Sequence, residues 1–272
     1  MSGLCGIWGR PYLDLSQLLD TSCFAILDEE ISYGLARAET TMTGGSLKWM
    51  GVVSPSMRDD PYVDYGHVLA RLTPEELRRF VSLADDPEAY DPSRPAEHSY
   101  GDETGTPLTR EQTRYLSYRH DVYFPWKVCY HLITNDRWED KHSGAGKAFS
   151  EEARELFPET VKYIERLPFV EIGRAVIFGL EPNDHAPAHR DTEPGEALSI
   201  AQSISFSPRG NKRLYLCDRD GEHKTVVTAP IYWFNDMDYH GVEAAPFFRY
   251  SVRVDGVFEA AFVKELRRKL RA

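Results

Sequence analysis

At 272 residues the chain is long enough to bury roughly 70–75% of its unfolded surface, so neither disulfides nor metals are needed for folding. Its 42% hydrophobic and 28% charged residues match an ordinary globular protein, which excludes disordered, collagen-like and membrane-spanning chains. The net charge of −11 repels phosphate backbones and anionic lipid, so neither nucleic acid nor membrane is expected as a partner.

Residues 1–55 mix short apolar runs, such as Leu47 to Val53, with turn signals, and read as one or two strands. Thr73-Pro74-Glu75-Glu76 is a capping box with proline at the first helical position, predicting a helix to about Ala84. Thr109-Arg110-Glu111-Gln112 opens a second helix, to about Arg119. Between them, the proline-rich residues 85–108 read as a long surface loop of the kind that covers a site. A third helix starts near Ser150 with Glu151, Glu152 and Glu155 in its first turns, is broken by Pro158 and ends near Leu167. From Phe169 the period changes. Short runs rich in Val, Ile, Tyr and Phe occupy 172–180, 185–191, 198–206, 211–217, 223–229, 230–235, 239–244 and 247–258. Eight such strands predict a sandwich or barrel with the N-terminal helices packed outside it. A last helix, about Glu259 to Arg271, carries Phe262, Leu266 and Leu270 along one face. The fold class is α+β: a helical or mixed buttress over 1–168 and a β core over 169–272, within one compact unit.

Cys5, Cys23, Cys129 and Cys217 lie far apart with no C-x-x-C pair, which supports neither a thiolate zinc site nor a disulfide framework. With no basic segment followed by an apolar run near residue 1, a cytoplasmic location is expected.

The chemistry concentrates in the β half. His189-Arg190-Asp191 is followed by His240, 49 residues after Asp191. Two imidazoles and one carboxylate can take one triangular face of an octahedral ion and leave three positions open, the facial triad that suits non-haem Fe(II). An H-x-D tripeptide is uninformative alone; the downstream residues give it weight. Arg249, Ser251 and Arg253 alternate along one face of an otherwise apolar strand, where a guanidinium and a hydroxyl can grip a carboxylate.

In this order, H-x-D, a distal histidine and R-x-S nine residues later, the chain resembles the Fe(II)/2-oxoglutarate-dependent oxygenases, whose core is a double-stranded β-helix or jelly roll. R-x-S resembles the isopenicillin synthase-like group. Pro182, His189-Arg190-Asp191 and Phe234-Asn235-Asp236 resemble the aspartyl/asparaginyl β-hydroxylase and proline hydroxylase group. The resemblance spans about 170–258. It implies that His189, Asp191 and His240 hold Fe(II), and that Arg249, assisted by Ser251, pairs with the distal carboxylate of the cosubstrate 2-oxoglutarate. Arg253 shares that role, binds substrate or sits at the mouth, and Gln202 and Ser203 either face the cavity or pack in the core. With O₂ the expected reaction is hydroxylation of an unactivated C–H bond in a small molecule or amino-acid-like unit, alternatively in a peptide or protein side chain. Asp191 argues against halogenation, since related halogenases replace that carboxylate.

Other residues have plainer readings. His185 fits a strand entrance or loop better than a rival ligand. Asn211, Arg213, Tyr215 and Arg174 fit a solvated strand face, and Tyr118 to Trp126 fit packing between helices and barrel. Cys5-Gly6-Ile7-Trp8-Gly9 resembles the start of glutamine amidotransferases, but that chemistry needs a free α-amine on the cysteine, and four residues precede Cys5. Two readings of another class remain open: a cupin-like metal-binding isomerase or binding protein without oxygen activation, and a non-catalytic interaction domain.

Overall fold

A computed structural model describes residues 3–40, 68–89, 108–124, 128–134, 141–192, 194–195, 199–218, 221 and 223–270. The strand expected at Leu47–Val53 and most of the expected loop 85–108 lie outside these residues.

The helices are α1 (Phe24–Arg37), α2 (Pro74–Val81), α3 (Arg110–His120), α4 (Glu151–Leu156), α5 (Pro158–Glu165) and α6 (Ala260–Leu270). The strands are β1 (Tyr12–Asp14), β2 (Val128–His131), β3 (Phe169–Leu180), β4 (Ala186–His189), β5 (Ser203–Phe206), β6 (Leu214–Cys217), β7 (Lys224–Val226), β8 (Ile231–Phe234), β9 (Tyr239–Val242) and β10 (Arg249–Phe258). Both capping boxes form. Thr73 and Thr109 accept from the backbone N–H groups of Glu76 and Gln112, and those side chains accept from the threonine N–H groups in return. Ser150 caps α4, and Pro158 opens α5.

Of the one or two strands expected in residues 1–55, β1 forms, and α1 is a helix that was not anticipated. In α1, Phe24, Leu27, Ile31 and Gly34 are buried on one side. Cys23 stands at its N-cap and makes no side-chain cap bond, so the start of α1 carries no sequence signal. Gly34, a poor helix former, is there because a Cβ would collide with the Phe157 ring and approach the Leu156 carbonyl oxygen.

The protein is mixed α and β with antiparallel sheets. Among the described residues one sheet runs β1-β8-β5-β10-β3-β2 and the other β4-β9-β6-β7. The eight predicted strands are β3 to β10, and the chain passes repeatedly between the sheets as it winds, the path expected of a jelly roll.

Side-chain alternation divides the six-stranded sheet into two faces. Ile177, Ile204, Phe206, Trp233, Tyr250, Val252 and Val254 join α1, α4, α5 and α6 in the larger core, where Phe24 stacks on Phe206 at 5.8 Å. Val176, Phe178, Tyr232 and Phe234 point the other way, to meet Leu214, Leu216 and Val242 of the second sheet. On β10 the residues in phase with that inner face are Arg249, Ser251, Arg253 and Asp255, all buried. A polar row therefore runs into the space between the sheets, and this row positions the site.

Candidate metal centre

The centre is built from a cross-strand pair. His189 ends β4 and lies opposite His240 of β9, with ring centroids 4.4 Å apart. The tight turn Asn235–Asp238 sets β9 after β8: the Asp238 N–H donates to the Asn235 carbonyl, and the Met237 N–H to the Asn235 side chain. Asp191 sits just past β4, held by its N–H on the Asp236 carbonyl at 2.9 Å.

Both imidazoles are oriented by their own backbone. His189 Nδ1 lies 2.8 Å from the Pro187 carbonyl and His240 Nδ1 2.9 Å from the Asp238 carbonyl. A carbonyl can only accept, so each Nδ1 donates and each neutral ring keeps its lone pair on Nε2. The two Nε2 atoms lie 3.7 and 3.6 Å from Asp191 Oδ1, and the three ligand atoms lie within 4.8 Å of one another. Two bare nitrogens and one carboxylate oxygen facing a common point, each imidazole backed by a carbonyl, are what a divalent transition-metal ion requires.

Burial lowers the His240 pKa to about 4, with help from the neighbouring His189, so the ring stays neutral at physiological pH. Burial opposes ionisation of Asp191, but the Arg253 guanidinium beside it outweighs burial and holds the carboxyl well below the usual range.

Arg253 is the hub of a buried charge network. It donates to Asp191 Oδ2 at 2.6 Å and to Asp255 Oδ1 at 3.0 Å, and its other terminal nitrogen lies 3.4 Å from Asp236 Oδ2. Lys141 pairs with the same Asp236 oxygen at 2.7 Å, and Arg174 pairs with Asp255 at 2.7 Å. Arg174 is thus fully buried in this network, contrary to the solvated strand face expected of it.

A cleft of about 470 Å³, including its opening to solvent, runs from the triad along β10. Aromatic and aliphatic side chains wall it (Phe178, Leu214, Tyr232, Phe234), and Ser205, Ser251, Arg253 and Lys212 supply its other polar groups. Lys212 is 7% exposed; its Nζ donates to Ser251 Oγ at 2.8 Å and to the Phe178 carbonyl at 3.2 Å. Burial and the nearby Arg249 lower its pKa to about 7, partly offset by Cys129.

The structure thus brings together His189, Asp191, His240, Ser251 and Arg253. Two expected members are elsewhere. Arg249 is buried, but its guanidinium donates to the carbonyls of Asp184 at 2.6 Å and Glu243 at 2.8 Å and does not line the cleft. It sits at the first position of β10, where the 181–185 and 243–248 connections meet the sheet, and their carbonyls capture it. Gln202 lies beside the far end of β10, where its side-chain oxygen accepts from the Phe258 N–H at 2.5 Å. Ser203 is buried but off the cleft, and His185 is exposed, stacked on Tyr123 at 4.7 Å. Lys212, Ser205 and Tyr232 were not anticipated. Lys212 had a legible signal: it stands two residues before Leu214, in phase with the inward-facing Leu214 and Leu216.

No protein-family model matches the chain, and no curated protein matches it. Solved structures do. Among its structural neighbours are 2OG-Fe(II) oxygenases and prolyl hydroxylases. An oxidoreductase of the 2OG-Fe(II) oxygenase family from Burkholderia pseudomallei aligns at 10% identity and TM-score 0.31, over 47% of this chain and 65% of that one. A prolyl-4-hydroxylase from Pseudomonas putida aligns at 12% identity and TM-score 0.27, over 47% and 70%. A cupin domain from Bordetella pertussis aligns at 11% identity and TM-score 0.22, over 32% and 81%. Among the described residues no helix is long and apolar enough to cross a membrane.

Proposed function

We propose that the protein is an Fe(II)- and 2-oxoglutarate-dependent oxygenase with a double-stranded β-helix core, residues 169–272 forming the catalytic unit and 1–168 its buttress. The observation that carries this is the convergence of His189 Nε2, His240 Nε2 and Asp191 Oδ1 at one end of a cleft with a buried ammonium further along it. The donor set fits ferrous iron: two nitrogens and one oxygen on one face, the other positions left for small ligands.

In this reading Lys212, not Arg249, anchors the far carboxylate of the cosubstrate, with Ser251 as its hydroxyl partner. Ser251 and Arg253 are successive inward residues of β10, about 6.6 Å apart along a strand. A five-carbon keto-diacid spans a comparable distance, so one end meets Lys212 while the other lies beside the triad. When bound, iron and 2-oxoglutarate supply the oxidative chemistry: O₂ and the keto acid yield succinate and CO₂, and a C–H bond of the substrate becomes C–OH. The chain's own part is placement. Pro187 and Asp238 fix the two tautomers, Arg253 steadies Asp191, and Phe178, Leu214, Tyr232 and Phe234 exclude water from the cleft.

The cleft's apolar walls with a few converging polar groups support a small-molecule or amino-acid-like substrate, free or borne on a peptide. Four free cysteines support a cytoplasmic location.

The test is anaerobic addition of Fe(II) and 2-oxoglutarate. A weak visible charge-transfer band of the chelate is expected from the protein and none from Asp191→Ala. If the protein binds iron without the band, a cupin-like metal protein without oxygen activation replaces this reading.

A further inference from the structure

The metal centre is fastened from outside the strands that carry it, and the fastening bears on how Asp191 ligates. Resting on the metal-centre reading above, we infer that Arg253 is a positioning residue that confines Asp191 to ligation through a single oxygen, and that Lys141, from the segment ahead of β3, holds Arg253 in place through Asp236.

The geometry is specific. A carboxylate can give a metal one oxygen or two. Here Oδ1 faces both imidazoles at 3.6 and 3.7 Å, while Oδ2 is taken by Arg253 at 2.6 Å. An oxygen in a charge-assisted bond of that length is not free to swing onto the ion. One-oxygen ligation leaves three of six positions open, enough for a two-point chelate and a diatomic gas; two-oxygen ligation would leave two.

Arg253 is itself held on three sides. Its Nε donates to Asp255 Oδ1 at 3.0 Å, and Arg174 grips the other Asp255 oxygen at 2.7 Å. One terminal nitrogen serves Asp191, and the other lies 3.4 Å from Asp236 Oδ2. That last contact is long because Lys141 holds the same oxygen at 2.7 Å. Without Lys141, Asp236 becomes a stronger competitor for the guanidinium, which then has reason to turn from Asp191. Lys141 is placed for this by the segment 141–147 lying against β3: a Cβ on Gly173 would collide with the Lys141 carbonyl, and Lys147 donates to the Gly173 carbonyl at 3.1 Å.

Cobalt(II) reports this without turnover, because its d–d absorption changes intensity and position with coordination number. One Co(II) per chain is titrated into the protein, Arg253→Lys and Lys141→Met, following affinity and spectrum. Arg253→Lys keeps the charge but has one nitrogen and cannot serve all three carboxylates. Its affinity is expected to fall roughly 10–100-fold, with an altered d–d spectrum. Lys141→Met should weaken binding several-fold and shift the spectrum in the same direction. A merely structural role would lower the melting temperature and leave the spectrum of bound cobalt unchanged. Wild-type affinity and superimposable spectra in both variants overturn the proposal. If Arg253→Lys fails to fold, Lys141→Met decides alone: a shifted spectrum supports the proposal and an unshifted one overturns it. Failure of the unaltered protein to bind cobalt at all is a separate outcome that removes the metal-centre reading, and this inference with it.

Discussion

Lys212 and Arg249 show what a side chain's depth along its strand decides. Both are buried cations beside the cleft, yet only Lys212 lines it. Removing an ammonium that grips a carboxylate costs about 1.5–3 kcal/mol, so Lys212→Met should raise the apparent KM for 2-oxoglutarate roughly 10–100-fold with a smaller change in kcat. Arg249→Met should instead leave two buried carbonyls short of donors and destabilise the fold by about 1–3 kcal/mol, with little change in that KM. Steady-state kinetics beside thermal melts separate the two roles, and the opposite assignment would restore Arg249 as the anchor. The pH dependence has a definite sign. The Lys212 pKa is lowered to about 7 by burial and Arg249, and only the protonated form attracts a carboxylate. Affinity for 2-oxoglutarate should be flat below about pH 7 and weaken by up to about tenfold per unit above it. Lys212→Arg keeps its charge at high pH and should abolish that decline.

At the level of single elements, legibility followed periodicity. All eight strands from β3 to β10 were readable because their alternation continues through the polar row of β10, and the same alternation placed Ser251 and Arg253 inward. Alternation gives a face and no depth, and for that reason Arg249 and Gln202 were assigned to a cleft they do not reach. The three residues that converge, His189, Asp191 and His240, were legible through their spacing. Lys212 was passed over because a lone Lys in an expected strand is ordinarily solvated, and its phase with Leu214 and Leu216 shows only once those two are seen to face inward. α1 was hidden because its N-cap offers no side-chain bond and Gly34 interrupts its helical propensity. Gly34→Ala tests the packing explanation. Propensity alone favours alanine by up to about 1 kcal/mol, whereas overlap with Phe157 and the Leu156 carbonyl should cost about 1–3 kcal/mol. A lowered melting temperature is expected, and a raised one would show that the Phe157 ring yields.

At the scale of the whole molecule, the proposed metal centre ties ion binding to stability. An ion held by the folded state and not by the unfolded chain stabilises by mass action, about 2.7 kcal/mol at a hundredfold excess over Kd. Melting temperature should therefore rise with added Fe(II) or Co(II), fall back with a chelator, and fail to respond in His189→Ala. A response that survives that substitution would place the ion elsewhere.

The turn before His240 is also tied to residues from the opposite end of the sequence. Asp238 accepts from the N–H groups of Cys5 and Gly6, which lie more than 230 positions earlier, and Asn235 donates to the Gly6 carbonyl. Nearby, β1 zips along β8. During synthesis, at about 5–20 residues per second, those first residues wait roughly 10–50 s for their partners to leave the ribosome. Until then the flank of β8 has nothing to mate with and the distal histidine lacks its brace. Completion of the turn that carries His240 is consequently a late event, timed by translation.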